Sequence, residues 1–395
     1  VELVGRTAFP PIGDGTYLLT LPAYGFFWFV LEEKAELPRW HEAVPEVLPD
    51  FVTLTASDGA LPSVLSGRER IQLERDVLPQ FLPLQRWYAN KGERIRTVAV
   101  HPLAALNAPT QAMTAIDVAT DGGESRYLLP LCIRWGDENL RPGAPLLSYT
   151  LAKTRKGPRL GALVDAAFDD DFAMDLMTAM QAGTPLPAEA GRIEFDATDA
   201  LRSLDKPAGT RRLGKEQSNV SVILDSKVML KVYRRLQGGV QPDVEVGRFL
   251  SREAGFTGTP AYMGAATYVA DDGERSTLAT AFAFVFNQGD AWSGLLDALV
   301  RDLEHGAMAA APESEPFTYP LNIARVLGLR TAELHAAFAH PTEDPAFAIE
   351  PIERSDLKCW VKAVAREARQ MLAALRGGAT EDVKALLAAK EALLA

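Results

Sequence analysis

Lys231 is the residue whose setting most suggests chemistry. The stretch Glu216–Arg235, EQSNVSVILDSKVMLKVYRR, alternates apolar and polar positions with a period of two. It reads as two β-strands, Ser218–Leu224 and Val228–Tyr233, joined by the turn Asp225-Ser226-Lys227. Val220, Val222 and Leu224 share one face, and Lys231 stands in the middle of the second strand between Leu230 and Val232. Burying an ammonium there is costly unless an anion meets it. Two readings follow: a lysine whose stem lies along the sheet with its head in water, or a lysine placed to hold an anionic ligand.

The neighbouring sequence supplies a partner. Pro242–Glu253 has helical spacing in Val246, Phe249 and Leu250, with Asp243 in a cap-like position, and it offers Glu245 as a carboxylate for the lysine. A strand lysine followed by a helix glutamate is the arrangement with which protein-kinase-like folds hold the α/β phosphates of ATP. Residues 201–235 carry nine Lys/Arg against three Asp/Glu in a chain of net charge −11. A basic island of this kind suits a small polyanion, although a charge run also serves as a solvated face.

The whole chain narrows the choices. Its 395 residues call for two or more domains, and 47% hydrophobic with 24% charged residues is a soluble globular composition. The acidic balance argues against a nucleic-acid partner. No apolar run is long enough for a membrane span, and the first residues, VELVGRTAFPP, lack the pattern of a signal peptide. Cys132 and Cys359 stand far apart and the five histidines are scattered, so neither a disulfide framework nor a metal cluster is expected. Such cysteine usage fits a reducing, cytoplasmic setting.

The elements that must position Lys231 fall in order. Residues 1–34 read as β structure and 38–62 as a proline-rich linker. A helix runs from Ser66 to about Pro83. Strands are expected near Ile95–Val100, Thr114–Val118, Arg126–Ile133 and Leu146–Thr150. Ala162–Ala182 reads as a helix whose Met174 and Met180 belong to a core stripe, and Ile193–Phe195 as a short strand. Beyond the Lys231 strands come strands Tyr262–Tyr268 and Thr277–Phe286. Helices Trp292–Glu304, Leu321–Phe338, Ser355–Arg376 and Thr380–Ala395 follow, with a loose segment over 306–319. No P-loop pattern GxxxxGK[ST] occurs.

Several stretches resemble a known family. GRTAFPPIGDGTYLLTLPAYGFFWFVL is similar to the last strands of the C-terminal β-domain of α-amylase-family trehalose synthases, and LPQFLPLQRWYANKGERI to the opening signature of bacterial maltokinases. EQSNVSVILDSKVMLKVYRRLQGGVQPDVEVGRFL, FNQGDAW, LGLRTAELHAAFA and DPAFAIEP resemble later maltokinase landmarks in the same order. The resemblance implies an α+β fold with five parts. These are the end of an amylase-type β-domain (1–38), a linker (39–65), an N-terminal α+β cap domain (66–200), a kinase-like or aminoglycoside-phosphotransferase-like N-lobe (201–288) and the first helices of a C-lobe (289–395).

It further implies transfer of the ATP γ-phosphoryl group to maltose, giving maltose 1-phosphate, with ATP and Mg²⁺ as cofactors of the full-length enzyme and a covalently fused trehalose synthase as partner. A homo-oligomer fits that class. By position Lys231 would take the nucleotide phosphates and Glu245 would orient it. Ser218, Asn219 and Ser221, in the glycine-free loop Gln217–Ser221, would cover the phosphates. Phe284 and Phe286 would form the adenine-facing hinge. Trp87 and Lys91 are expected to be structural.

The chain departs from the family in one respect. The His-Gly-Asp-x-His-x-x-Gln loop and the Asp-Phe-Glu-Gly segment that would position sugar and Mg²⁺ do not occur, and His305-Gly306 is followed by Ala307. The expectation is a piece of a fused enzyme that lacks activity alone. The alternative is a non-catalytic binding or scaffolding module with a kinase-like fold.

Overall fold

The computed structural model describes residues 29, 50–106, 108–212, 218–287, 289–308, 317–375, 383, 385 and 388. Apart from Phe29, the expected β structure of 1–34 therefore lies outside the described residues, as does most of the helix expected over Thr380–Ala395. By contact density the chain divides into two compact units, one of residues 1–245 with 260–286 and one of 246–259 with 287–395.

The first unit is built on two sheets. One contains β1 (Thr53–Thr55), β2 (Ile95–Ala105), β3 (Gln111–Thr120), β4 (Gly123–Leu128), β5 (Leu131–Trp135), β6 (Thr150–Lys156) and β7 (Arg159–Asp165). The other contains β8 (Leu186–Ala188), β9 (Gly191–Ala197), β10 (Thr210–Arg212), β11 (Asn219–Leu224) and β12 (Val228–Tyr233). After β12 the chain gives β13 (Arg235–Leu236), which joins the first sheet, and then β14 (Tyr262–Ala270) and β15 (Arg275–Ala283), which complete the second.

The first sheet runs β1-β6-β7-β5-β3-β4-β13 with β2 also on β3, and the second runs β10-β11-β12-β15-β14-β9-β8. Among these strands all pairs are antiparallel except β1 with β6.

One core fills the space between the sheets and the helix Asp170–Ala182. It joins Met113, Ala162 and Val164 of the first sheet to Val222, Leu230 and Val232 of the second, with Phe172, Leu176 and Met180 from the helix. Met174 packs on its edge, so the methionine stripe is core. Asp169 caps this helix by accepting from the N–H groups of Asp171 and Phe172, and Gly183 ends it at φ 66°, where a side chain would be strained. A second core lies on the other face of the first sheet, where Leu61, Leu73, Leu78, Trp87 and Tyr88 cover Val100, Ile116 and Leu163.

Three expectations in this region need correction. Ala162–Ala182 is not one helix, because Arg159–Asp165 is strand β7 and the helix starts at Asp170. Residues Gly161–Asp165 are buried on both faces of the sheet, so their apolar run carries no alternation and passes for helix. Arg126–Ile133 divides at Leu129-Pro130 into β4 and β5, since proline has no N–H to give a ladder. Leu147–Tyr149 is a 3₁₀ turn, and the strand expected there begins only at Thr150. The stretch read as linker also holds structure: Thr53–Thr55 pairs with β6, and Leu54, Leu61 and Val64 are fully buried.

In the second unit, Ala291–Met308, Thr318–Phe338 and Arg354–Ala374 are helical, close to the expected spans. His305-Gly306 falls in the last turns of the first of these rather than in a loose segment. The Phe249 ring stacks on Phe347 at 3.9 Å, and Glu353 with Asp356 forms a reciprocal capping box at the third helix. None of the described helices is long and apolar enough to cross a membrane.

Candidate functional site

The alternation read around Lys231 is present and explains how a lysine can sit between Leu230 and Val232. Val228, Leu230 and Val232 point into the inter-sheet core, and Lys231 and Tyr233 take the opposite face. The register sets Ser221 beside Lys231 on one side and Thr280 on the other, with Asn219 beside Tyr233. The connecting turn has Asp225 at φ 48° and Ser226 at φ 54°. Two successive positive φ values make the type I′ geometry that matches strand twist. The Asp225 carboxylate accepts from the backbone N–H groups of Ala208 and Gly209, tying the turn to the chain ahead of β10.

Lys231 Nζ donates to Asp243 Oδ2 at 2.5 Å, and the Tyr233 hydroxyl donates to the same oxygen at 2.7 Å. Tyr233 also meets Thr280 Oγ1 at 3.1 Å, and the Lys231 ammonium lies 5.3 Å from the centre of the Tyr233 ring. The lysine side chain is 28% exposed and the aspartate 39%, so a ligand can reach the pair from solvent. Burial raises the Asp243 carboxyl, but hydrogen bonds from Lys231 and Tyr233, together with the lysine charge, outweigh it and leave it below the usual carboxylate range. Burial and the hydrogen bond to Asp243 push the Tyr233 phenol well up.

The partner carboxylate is thus Asp243 in place of Glu245. The helix Pro242–Arg248 begins with proline at its first position, so Gln241 takes the capping role, its side-chain oxygen accepting from the Asp243 N–H at 3.1 Å. Asp243 then belongs to the first turn, and its carboxylate is released from capping to face the sheet. Glu245, two residues on, makes no side-chain hydrogen bond or ion pair among the described residues.

The other expected residues are spread along the hairpin. Ser218 is an exposed bend ahead of β11, and Asn219 and Ser221 belong to the strand itself rather than to a loop. Asn219 Oδ1 accepts from the Arg234 N–H at 3.3 Å. Gln217 lies outside the described residues. Phe284 stands at the Val228 end of β12, where its N–H donates to Lys227 O at 2.8 Å and its ring lies 5.6 Å from the Arg211 guanidinium. Phe286 is 83% exposed at the point where the first unit ends. Lys231, Ser221 and Asn219 are therefore brought onto one face, with Ser218 at one end of the hairpin and Phe284 at the other. Tyr233 and Thr280 join the face without being singled out by the sequence, because a tyrosine and a threonine on a strand are ordinary β-formers.

The strand that carries Lys231 is anchored three residues later. Arg234 is fully buried and makes a two-pronged pair with Asp165 of β7, through Nη1 at 3.0 Å and Nη2 at 2.6 Å. Its guanidinium lies 4.7 Å from the Trp87 ring and 5.2 Å from Phe168. Trp87 is 4% exposed and serves the structural part expected of it, whereas Lys91 is exposed. Among the described residues no three His, Cys, Asp or Glu side chains come together to hold a metal.

Comparison with known proteins bears on this geometry. Residues 81–169 match the maltokinase N-terminal cap domain, and residues 1–28 match the maltogenic amylase C-terminal domain. A 38-residue stretch is 53% identical to the trehalose synthase/amylase TreS of Mycolicibacterium smegmatis, covering 10% of this chain and 6% of that protein. One chain thus carries a stretch similar to the maltokinase cap domain and a stretch similar to trehalose synthase.

A glucosamine kinase (crystal form B) is similar in structure, with a TM-score of 0.50 and 21% identity over 75% of this chain and 56% of its own. That likeness supports a kinase-like fold. A glucosamine kinase in complex with glucosamine, ADP and inorganic phosphate is similar at TM-score 0.48 and 20% identity, over 75% of this chain and 57% of its own. The chain spans a little over half the length of these kinases and a small part of the synthase. A stretch similar to trehalose synthase and a fold similar to that of a kinase thus share one polypeptide.

Proposed function

We propose that this chain carries the nucleotide-phosphate-holding part of an ATP-dependent maltose kinase fused to a trehalose synthase. The observation that carries the reading is the Lys231–Asp243 pair on the open face of β12, held from below by Tyr233. A partly exposed ammonium oriented by a carboxylate is suited to the α/β phosphates of a nucleotide. Ser221, its neighbour in register, and the exposed Ser218 add hydroxyl and N–H donors on the same hairpin.

ATP would supply the phosphoryl group, and maltose would accept it to give maltose 1-phosphate and ADP. The described residues hold no carboxylate cluster suited to Mg²⁺, so none of them is given a part in holding that ion. A cytoplasmic site of action accords with the unpaired cysteines and with the supply of ATP.

The test is Lys231→Ala in the full-length synthase–kinase. Maltose-dependent ATP turnover should vanish while the circular dichroism spectrum and melting temperature stay as they were. Near-normal turnover in that variant would sink the assignment.

A further inference from the structure

Four side chains from three elements meet in one run of hydrogen bonds beside the candidate site. Asp243 Oδ2 takes both Lys231 Nζ and the Tyr233 hydroxyl, and Thr280 Oγ1 of β15 stands behind Tyr233 at 3.1 Å. We propose that Tyr233, backed by Thr280, is the positioning residue of this site: it fixes the direction of the Asp243 carboxylate and so the place of the Lys231 ammonium. The proposal rests on the reading of Lys231 as the holder of nucleotide phosphates.

Each proton in this run has one place to go. The Asp243 carboxyl lies below the usual range and is ionised at neutral pH, so it only accepts, while burial keeps the Tyr233 phenol protonated. A phenol has one proton, and here it goes to Asp243. Distance alone allows either hydroxyl to donate between Tyr233 and Thr280. With the phenolic proton already placed, Thr280 is the donor. The order is therefore Thr280 to Tyr233 to Asp243, and hydrogen bonds in series polarise one another.

Packing does not call for these two hydroxyls. Tyr233 is 2% exposed and Thr280 is fully buried, where phenylalanine and valine would fill the same space with no polar group to satisfy. Nor do the hydroxyls attach the helix Pro242–Arg248 to the sheet, because its Val244 is buried against Tyr262 and Ala265. What they add is direction at the carboxylate. Tyr233 also sets its ring 5.3 Å from the Lys231 ammonium, so one residue touches both members of the pair. Lys231 gives one of its three protons to Asp243 and makes no other hydrogen bond among the described residues, which leaves two for a phosphate.

The experiment has two arms on the whole chain. In the first, without nucleotide, NMR follows the Asp243 carboxyl carbon through acid pH in protein labelled with ¹³C at the aspartate carboxyls, the signal being assigned by its loss in Asp243→Asn. Lys231 and Tyr233 are the titratable side chains that act on this carboxyl. Tyr233→Phe, which keeps the ring, should move the Asp243 titration to higher pH. Thr280→Val should move it the same way by less, and Thr280→Ser, which keeps a hydroxyl, should restore it. In the second arm, calorimetry with ADP should show binding about 3- to 10-fold weaker in Tyr233→Phe, the value of one lost hydrogen bond. Added to Asp243→Asn, the same change should weaken binding by less than about twofold more, because its effect passes through the carboxylate. An Asp243 titration that Tyr233→Phe leaves unmoved overturns the proposal, as do losses of affinity that multiply in the double variant. Should Thr280→Val fail to fold, Tyr233→Phe decides both arms. A wild type that fails to bind ADP sinks the nucleotide reading instead, and the first arm still shows whether Tyr233 governs Asp243.

Discussion

Arg234 and Asp165 are joined by two parallel hydrogen bonds with neither side chain exposed to solvent, although 69 residues separate them in the chain. The pair connects the strand that presents Lys231 to the central strands of the first sheet. Removing one member of a buried pair strands the other, which typically costs about 3–5 kcal/mol. Asp165→Asn should therefore lower unfolding free energy by about that amount in urea titrations. The double change Arg234→Met with Asp165→Leu should recover most of it. A loss in Asp165→Asn of under about 1 kcal/mol, the worth of a surface pair, would contradict this account.

Asp243, and not Glu245, should matter to nucleotide binding. Asp243→Asn removes the charge that orients Lys231, and a drop of about tenfold in affinity for ADP is expected from one charge-assisted contact. Glu245→Gln should leave affinity within a factor of about two, as a surface substitution away from the pair. Titration of the two variants side by side separates them, and equal effects would return the role to Glu245.

The depressed Asp243 carboxyl sets a pH dependence whose sign is fixed. A carboxyl with a lower pKa in the folded state stabilises the protein above its unfolded pKa, near 3.8, and the benefit is lost as pH falls through the folded value. The stability gap between wild type and Asp243→Asn should thus be level from neutral pH down to the upper end of that range. It should shrink as the pH falls further. A gap that widened on acidification would show the opposite sign of coupling.

The two cysteines should differ in reactivity. Cys132 is buried in the inter-sheet core and burial pushes its thiol far up, whereas Cys359 is exposed on its helix. Maleimide at neutral pH should label Cys359 alone in the folded chain and both in denaturant. Labelling of Cys132 without denaturant would mean that the inter-sheet core opens readily.

Around Lys231 the sequence was readable because alternation is a local signal: the hairpin, its turn and the lysine's separate face all follow from residues 218–233. The identity of the partner carboxylate hung on a shift of two positions. With Pro242 at the first helical position, Gln241 caps the helix and Asp243 turns to the sheet, so the placement of a cap decides which acid meets the lysine. Strand β7 was hidden because a strand buried on both faces has no period to read. The Arg234–Asp165 pair arises from tertiary packing, and no spacing in the chain announces it.

The passage from β12 through Arg234 into β13 bears on how this protein can be divided. Within three residues the chain leaves one sheet and enters the other, where Arg235 and Leu236 pair with Tyr127 and Arg126. A boundary drawn at residue 200 on grounds of homology would cut β9 away from its partner β14 and leave Arg234 charged in an emptied pocket. Recombinant shuffling, limited deletion or chimeras with proteins of similar fold would have to carry both sheets as a single cassette. A cap expressed without β13 would present the bare edge of β4, which is a template for aggregation.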